Sequence, residues 1–374
     1  MSTVIIQRKS NFMVEDTQTP MGSVALIVGA SGIIGSNLAR HLLDRKWTVY
    51  GLARRPPTDI AGLQPVAADL LNPDSLRDAL VGLQPTHVFL SVWMRQPTEA
   101  GNCGVNGELV RNILDALSDR SSLRHVALVT GLKHYMGPFE AYGKGHLPMT
   151  PLREEQGRLP FLNFYYTQED EVFAAAKRQG FSWSVHRPHT VIGYALGNAM
   201  NMGVTLATYA TICRETGRPF LFPGSPTQWN GLTDITDARQ LARHLAWAAT
   251  TEAARNEPFN IVNGDIFRWK WLWPQLAAYF GLEAAPYPGH ATPLEGQMRD
   301  DGPVWTRIAA REGLIETNLE RLASAWHTDL DLGLEIECVT DMTKSRKAGF
   351  LAYQDSRDSF FDLFVRLRQE RVIP

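Results

Sequence analysis

The chain has 374 residues, of which 44% are hydrophobic, and its 37 lysines and arginines nearly balance its 39 aspartates and glutamates. This length and composition suffice for a large core in two lobes, and the balanced charge gives no electrostatic reason to expect nucleic acid or an anionic membrane as a partner. Small molecules are therefore the expected partners.

Residues 1–21 are polar and irregular and are predicted to form an N-terminal extension, whose role the sequence leaves open. They lack the apolar centre of a signal peptide, and no apolar segment of the chain approaches the roughly twenty residues that span a bilayer. The three cysteines, Cys103, Cys213 and Cys338, form no CxxC pair, which fits a reducing compartment. The protein is therefore predicted to be cytoplasmic.

The first predicted element is a buried strand over Val24–Val28, which ends in the glycine-rich stretch GASGIIG. A helix is predicted directly after it, because Ile34, Leu38 and Leu42 recur at helical spacing. Glycines at such a turn let the backbone approach a dinucleotide's pyrophosphate, and free N–H groups at the helix start attract its charge. The spacing is GxxGxxG rather than GxGxxG. The predicted cofactor contacts in this stretch are Gly29, Ser31, Gly32, Ile33, Ile34 and Gly35.

Two arginines follow the second predicted strand, Thr48–Leu52. A site that prefers NAD usually has a carboxylate there for the ribose hydroxyl, whereas guanidinium groups favour a phosphate. Arg54 and Arg55 therefore favour NADP, although two surface arginines could simply follow a strand. A third strand is predicted over Val66–Ala68, and Asp69 after it is suitably placed to accept a hydrogen bond from adenine. The predicted cofactor contacts here are Asp69 and Leu70.

The fourth and fifth predicted strands, His87–Leu90 and His125–Val129, should be buried. Ligands of a doubly wound sheet bind beyond the carboxyl ends of its strands, so the residues that follow should face the cofactor. Lys133 is one of them, although a lysine after a strand is often only a solvated loop residue. The other predicted contacts are Ser91, Val92, Thr130 and Gly131, and Trp93 is expected in the substrate pocket.

Several ordered blocks of the sequence resemble the progesterone 5β-reductase and iridoid synthase family (PRISE), a divergent branch of the extended short-chain dehydrogenases. They include VYGLARRP at 49–56, GLKHYMGPFE at 131–140, NFYYTQEDEVF at 163–173, FNIVNGDIFRWKWLW at 259–273 and DMTKSRKAGF at 341–350. The resemblance implies a Rossmann-type doubly wound parallel sheet with a smaller, mostly helical C-terminal substrate lobe. It also implies that NADPH is the cofactor and that the carbon–carbon double bond of an enone or enal is reduced.

By this resemblance, Lys133 and Tyr165 match the active-site lysine and tyrosine of the family. The lysine precedes the tyrosine by 32 residues, as is typical of this branch. No tyrosine in the chain is followed by lysine in the YxxxK spacing of ordinary short-chain dehydrogenases. Hydride addition to the β-carbon of an enone places negative charge on the carbonyl oxygen. The Tyr165 hydroxyl would donate a hydrogen bond to that oxygen, and the Lys133 ammonium would strengthen it electrostatically.

The sixth predicted strand, Ser182–Arg187, is followed by Pro188 and His189. Many relatives have Pro-Gly at this point, where the backbone meets the nicotinamide. His189 could therefore line the pocket or lie in a loop, and the sequence leaves its role open. Pro188 and Val191 are predicted cofactor contacts.

The predicted elements divide the chain into two parts. Residues 22–192 and 233–264 are predicted to form the NADP-binding Rossmann domain, because the strand Phe259–Val262 should rejoin the sheet. Residues 193–232 and 265–374 are predicted to form the substrate-binding lobe, with apolar helical surface suited to a hydrophobic pocket. Tyr166 either packs beside the site or lines it. The predicted pocket residues are Trp93, Phe139, Tyr166, Met200 and Met202.

The sequence therefore predicts an NADPH-dependent ene-reductase for steroid-like or small enones and enals. Two alternatives stay open: a carbonyl reductase that gives an alcohol, against which the missing YxxxK weighs, and a non-catalytic NADP(H)-binding sensor or scaffold. No HExxH or GxSxG spacing indicates a metal site or a nucleophile elbow. The physiological substrate, the product stereochemistry and the oligomeric state are not defined by the sequence, although a homodimer is compatible with it.

Overall fold

The structure, a computed structural model, describes residues 22–138, 142, 148–195 and 197–374. Its strands, labelled in chain order, are β1 (Val24–Val28), β2 (Thr48–Ala53), β3 (Gln64–Ala67), β4 (His87–Leu90), β5 (His125–Val129), β6 (Ser182–Pro188), β7 (Val191–Ile192), β8 (Thr236–Asp237) and β9 (Glu257–Ile261). Seven of them form one parallel sheet in the order β3-β2-β1-β4-β5-β6-β9, and β7 and β8 form a short separate pair.

Helices follow most of the strands and complete the C-terminal part of the chain. They are α1 (Ile33–Asp44), α2 (Pro73–Ala79), α3 (Glu99–Ala116), α4 (Lys133–Met136), α5 (Phe164–Gln179), α6 (Met202–Thr216), α7 (Pro226–Asn230), α8 (Ala238–Thr250), α9 (Trp269–Tyr279), α10 (Leu294–Gln297), α11 (Gly302–Glu312), α12 (Leu319–Leu322), α13 (Ala325–Leu332), α14 (Thr343–Lys347) and α15 (Ser356–Gln369), with a 3₁₀ turn at Glu252–Ala254. None of the helices in the described ranges is long and apolar enough to cross a membrane.

The predicted doubly wound parallel sheet is confirmed. Its strand order reverses at β1, so that β1 lies between β2 and β4 and the chain winds outward in both directions. The connections of β1 and β4 therefore lead to opposite sides, and a crevice opens beyond their carboxyl ends. The central strands β4 and β5 are buried along their whole length because helices cover both faces of the sheet.

The boundaries of β3 and β9 differ from the sequence prediction by two residues at the start and one at the end; for β9, Phe259–Val262 was expected and Glu257–Ile261 is observed. For β3, Val66–Ala68 was the expected segment, whereas the observed strand is Gln64–Ala67. β3 is at the end of the sheet, where no strand of the described residues pairs with its outer edge. A proline is tolerated in an edge strand because its missing N–H breaks no ladder there, and Pro65 accordingly lies within β3.

Separate apolar clusters cover the two faces of the sheet. On one face α1 and α8 supply Leu38 and Leu245, and on the other α3 and α5 supply Ile113 and Val172. A third cluster lies in the C-terminal part of the chain and includes Trp269, Trp273, Trp305, Phe360 and Phe364.

The third cluster draws mainly on the segments assigned to the substrate lobe. Met342 and Phe350, however, pack in the sheet cluster with α8, although they belong to the predicted lobe segment 265–374. The reason is that α14, between these two residues, returns to the side of β9.

Candidate active site

The glycine-rich turn after β1 can exist only without side chains at two of its positions. Gly29 has φ of 93°, in the left-handed region, and a Cβ on it would lie 2.8 Å from the carbonyl oxygen of Ser91. A Cβ on Gly35 would overlap the carbonyl oxygen of Gly29. Helix α1 starts at Ile33, so the unpaired N–H groups of its first turn lie beside this turn. The result is a concave backbone cradle at a helix N-terminus, which suits a phosphate.

Two adjoining pockets make up a cleft that runs from this turn across the carboxyl ends of the strands. Its glycine-turn end is lined by Arg54, Asp69 and Leu70 as well as by Gly29, Ser31 and Gly32. Its tyrosine end is lined by Ile33, Ile34, Thr130, Gly131, Lys133, Tyr165, Pro188 and Val191. Both ends share Ser91, Val92, Trp93, Asn198 and Met200.

The cleft therefore brings together the residues predicted to contact the cofactor, with two exceptions among the described residues. Gly35 does not line the cleft. Its missing side chain leaves room for the carbonyl oxygen of Gly29. Arg55 is exposed and lies outside the cleft lining, whereas Arg54 lines it. Asp69 also uses one carboxylate oxygen to accept a hydrogen bond from the N–H of Leu71, at 3.0 Å.

Tyr165 is held at the N-terminus of α5. The cap of this helix is Asn163, whose side-chain oxygen accepts a hydrogen bond from the Tyr165 N–H at 3.0 Å. A Cβ on Gly131 would lie 3.1 Å from the Tyr165 hydroxyl oxygen, so glycine at that position gives the hydroxyl its room. Burial, together with the negative charges of Glu99 and Asp331, raises the pKa of the Tyr165 hydroxyl above its ordinary value. The hydroxyl is therefore protonated near neutral pH and able to donate.

Lys133 is the first residue of α4 and is only 6% exposed. Its ammonium nitrogen lies 3.7 Å from a carboxylate oxygen of Glu99. The same nitrogen is 4.4 Å from the centre of the Phe164 ring and 5.7 Å from that of the Tyr165 ring. These contacts hold a positive charge beside the tyrosine in a largely water-free setting, where charges act strongly on each other.

Glu99 was not identified in the sequence, yet it joins three parts of the site. It is 7% exposed, and one of its oxygens accepts a hydrogen bond from the Phe164 N–H at 2.8 Å. The other accepts from the side-chain amide of Asn102 at 2.9 Å and faces Lys133. In the sequence it is an acidic residue after the N-cap Thr98, as at many ordinary helix starts.

Two predicted pocket residues lie elsewhere. The Tyr166 hydroxyl donates to the carbonyl oxygen of His134 at 2.6 Å and accepts from the Leu159 N–H at 3.0 Å, so this ring packs behind the site. Consecutive helical residues point in different directions, and Tyr165 takes the direction of the cleft. Met202 is 1% exposed in the C-terminal apolar cluster. Met200 and Trp93 do line the cleft, and Phe139 lies outside the described residues.

Gln168 is a further cleft residue that the sequence analysis missed. It follows Tyr165 by one helical turn, and its amide nitrogen donates to the carbonyl oxygen of Val92 at 3.1 Å. Its buried side-chain oxygen has no hydrogen-bond partner among the described residues. A buried acceptor of this kind needs a donor, and the carboxamide of a nicotinamide has one. With the glycine cradle at the other end, the cleft therefore fits a nicotinamide dinucleotide.

His189 lines the cleft and is buried. Its Nδ1 lies 2.8 Å from one carboxylate oxygen of Asp234, and the other oxygen of Asp234 accepts a hydrogen bond from the Thr340 N–H. Burial opposes a charge on this imidazole, but Cys338 and Asp234 outweigh it and hold the pKa of His189 well above its ordinary value. His189 and Asp234 thus form a buried ion pair in the wall of the cleft.

The remaining wall of the tyrosine end comes from α13. His327, Leu330 and Asp331 of this helix line the cleft together with Tyr142. The hydroxyl of Thr190 donates a hydrogen bond to Asp331 at 2.7 Å. Within the described ranges, no group of three or more His, Cys, Asp or Glu residues is arranged to hold a metal ion.

Comparison with known proteins shows the family. The PRISE-like Rossmann-fold domain matches residues 79–374. An (S)-8-oxocitronellyl enol synthase of Nepeta cataria is 40% identical over 366 residues, which cover 94% of this chain and 93% of that enzyme. A 3-oxo-Δ(4,5)-steroid 5β-reductase of Arabidopsis thaliana is 39% identical over 365 residues, with 94% and 93% covered.

Solved structures show the same fold at much lower identity. UDP-glucose 4-epimerase of Thermotoga maritima aligns with a TM-score of 0.67 at 14% identity, covering 92% of this chain and 99% of its own. The Bordetella bronchiseptica enzyme WbmG, solved in complex with NAD and UDP, aligns with a TM-score of 0.63 at 17% identity, covering 93% and 96%.

Proposed function

Because the chain belongs to the PRISE-like Rossmann-fold family, we propose that it is an NADPH-dependent ene-reductase that acts on activated enones or enals. The observation that carries the proposal is the joint position of Tyr165 and Lys133 at one end of a cleft whose other end is a glycine cradle. One relative is by name a reductase of a Δ(4,5) double bond next to a 3-oxo group, which is an enone. The other is by name an enol synthase.

NADPH would be held along the whole cleft. The backbone around Gly29 and Gly32 would receive the pyrophosphate, and the guanidinium of Arg54 at the same end would receive the phosphate that distinguishes NADP from NAD. Asp69 would face the adenine. Gln168 would accept a hydrogen bond from the nicotinamide carboxamide. When bound, NADPH supplies the hydride.

The protein's own task is to stabilise charge on the substrate oxygen. The Tyr165 hydroxyl, kept protonated by its raised pKa, would donate a hydrogen bond to the carbonyl oxygen. That bond strengthens as the oxygen gains negative charge, and the nearby Lys133 ammonium strengthens it further. One such donor contributes roughly 3 kcal/mol to transition-state stabilisation. The resulting enolate can take its proton at carbon from water, so Tyr165 need not give up its own.

We also propose that the two predicted parts of the chain divide this work. Residues 22–192 and 233–264 would bind the cofactor, and residues 193–232 and 265–374 would supply most of the substrate wall. The second part contributes Asn198, Met200 and the α13 residues to the cleft lining.

The test is consumption of NADPH with a small cyclic enone and a conjugated enal, NADH serving as the comparison, and with the products identified by mass spectrometry and NMR. The expected products are a saturated ketone and a saturated aldehyde, formed faster with NADPH. An allylic alcohol would show carbonyl reduction instead and would overturn the assigned role of Tyr165. NADPH binding without consumption across a broad enone panel would point to a sensor or scaffold.

A further inference from the structure

The face of α13 that lines the cleft is not uniformly apolar. His327, Leu330 and Asp331 are spaced as neighbours on one side of a helix, and all three line the end of the cleft that holds Tyr165 and Lys133. A wall built only to hold the hydrocarbon part of an enone would need apolar side chains here. Two of these three side chains are polar instead.

Asp331 is a carboxylate whose charge no described cation neutralises by a direct ion pair. The Thr190 hydroxyl, itself part of the lining, donates to one of its oxygens at 2.7 Å. Its negative charge acts on Tyr165, since it contributes, after burial and Glu99, to the raised pKa of that hydroxyl. The carboxylate is half-buried, so a substrate that fills the cleft would remove it from water.

This arrangement constrains what the substrate carries. A carboxylate covered by a purely hydrocarbon substrate loses its hydration without compensation, which is unfavourable. The carbonyl group of an enone does not help, because its oxygen is an acceptor and is repelled by the negative charge. The complementary group must be a hydrogen-bond donor at another position of the same molecule.

We infer that Asp331 is a specificity-determining residue that selects enones or enals bearing a hydroxyl group remote from the reacting carbonyl. The inference rests on the proposed function and names the substrate class of that same site. A hydroxyl fits better than an ammonium because of His327, one turn earlier on α13. The buried Nδ1 of His327 has no hydrogen-bond partner among the described residues. A hydroxyl can donate to Asp331 and pair with either tautomer of that ring, whereas an ammonium can only donate.

The experiment compares pairs of linear 2-alkenals of graded chain length, each pair consisting of the parent enal and its ω-hydroxy derivative. The measured quantity is the ratio of the two kcat/KM values with NADPH. For at least one chain length the wild type should prefer the hydroxylated enal by about tenfold to a hundredfold, the usual effect of a hydrogen bond to a charged group. Asp331→Leu should abolish that preference, because it slows the hydroxylated enal and relieves the parent enal of the cost of covering a carboxylate.

Leu330→Ala is the matched control, because it alters the same wall without touching a polar group. It should change both enals of a pair by similar factors and keep the preference. Asp331→Asn, which retains the shape of the side chain, serves if the leucine variant does not fold, and it should reduce the preference in the same direction. Absence of a preference at every chain length, or equal losses for both enals in the Asp331 variants, would overturn the inference.

A binding measurement separates this inference from the proposed function. Calorimetric titration of the protein loaded with NADP⁺ with the same pairs of enals reports hydroxyl recognition without turnover. Reduction of the parent enals with no hydroxyl preference in either assay would overturn the inference and support the ene-reductase function. Hydroxyl-dependent binding that is lost in Asp331→Leu, without reduction of any enal, would support the inference and overturn the ene-reductase function.

Discussion

The side-chain amide of Asn163 donates a hydrogen bond to the backbone carbonyl of Lys133 over 2.8 Å. The oxygen of the same amide caps α5 by accepting from the Tyr165 N–H. One side chain therefore fixes the lysine and the tyrosine relative to each other, although they come from different helices. Ordinary short-chain dehydrogenases obtain this relation from a single helical turn, and here a helix cap provides it.

Replacing the Tyr165 hydroxyl should slow turnover selectively. We expect Tyr165→Phe to lower kcat about a hundredfold, because it removes one donor to the developing enolate, and to leave the Kd of NADPH within about twofold. Steady-state kinetics and fluorescence titration of NADPH measure the two quantities. Tyr166→Phe is the control, since that hydroxyl bonds to His134 away from the cleft, and its kcat should change little. Parallel losses of kcat and NADPH affinity in Tyr165→Phe would contradict the role.

A methyl group at position 131 should displace the Tyr165 hydroxyl. The new Cβ would lie 3.1 Å from the Tyr165 hydroxyl oxygen and 3.3 Å from the carbonyl oxygen of Pro188. We expect Gly131→Ala to lower kcat about tenfold or more by displacing the donor. Gly104→Ala is the control, because a Cβ there meets nothing within 4 Å. It should retain full activity and gain up to about 1 kcal/mol in the free energy of unfolding, as alanine does over glycine in a helix.

Removing the charge of Glu99 should weaken both the fold and the chemistry. Glu99→Gln leaves the buried Lys133 ammonium without its carboxylate, and breaking a buried pair of this kind costs about 3 kcal/mol or more. Urea unfolding should show that loss, and kcat should fall at least tenfold because the neutral amide no longer balances the Lys133 charge beside Tyr165. The exposed Glu108 on the same helix gives the control Glu108→Gln, with a change below about 0.5 kcal/mol. An unaltered kcat in Glu99→Gln would mean that the pair is purely structural.

The two arginines after β2 should differ in their effect on cofactor choice. Arg54 lines the cleft and Arg55 does not. We therefore expect Arg54→Ala to lower kcat/KM for NADPH about tenfold or more while that for NADH stays nearly constant, since only NADPH carries the additional phosphate. Arg55→Ala should have the smaller effect. The proposed position of that phosphate would be wrong if Arg55→Ala alone reduced the preference.

Buried neutral histidines should make the fold sensitive to acid, and His134 allows a clean test. Burial, followed by the positive charge of Arg187, lowers the pKa of His134 from 6.5 to about 3. Glu169 lies 3.7 Å from its ring but already pairs with Arg158 and Arg187. Between pH 6 and pH 4 the unfolded chain therefore binds a proton at this residue that the folded chain does not.

The free energy of unfolding should accordingly fall on acidification, by about 1.4 kcal/mol per pH unit from this one group. His134→Gln removes that contribution. The free energy of unfolding of the wild type should therefore approach that of the variant by about 1.4 kcal/mol for each pH unit between pH 6 and pH 4. Urea unfolding at several pH values measures it. A constant difference over this range would show that His134 is protonated in the folded protein.

The sheet was predictable because buried parallel strands are continuous apolar runs that turn signals separate. The segments Val24–Val28, His87–Leu90 and His125–Val129 were expected and are observed as strands. The glycine turn was equally predictable, because a tight strand-to-helix turn requires a residue without a side chain at the position of Gly29. The position of β3 was less so, because an edge strand has few apolar residues.

Much of the site's support depends on contacts between residues far apart in the chain. Glu99 reaches Phe164 across 65 residues and Thr190 reaches Asp331 across 141, and neither contact leaves a local pattern. For Tyr166 the sequence left packing and lining open, because consecutive helical residues can line one cleft, as Leu330 and Asp331 do. Its hydroxyl contacts with His134 and Leu159 decide for packing, and these contacts leave no local pattern. Met202 was misplaced because apolar helical residues at a lobe core and at a pocket look alike in sequence.

The proposed substrate wall and the proposed reactive groups lie on separate elements of the fold. Tyr165 and Lys133 are fixed by the caps and buried carboxylate of α3, α4 and α5, whereas α13 presents His327, Leu330 and Asp331 without sharing any of those anchors. Mutations at these three positions should therefore leave the side chains of Tyr165 and Lys133 in place. We expect a combinatorial library confined to them to alter the substrate scope while Tyr165 and Lys133 keep their positions.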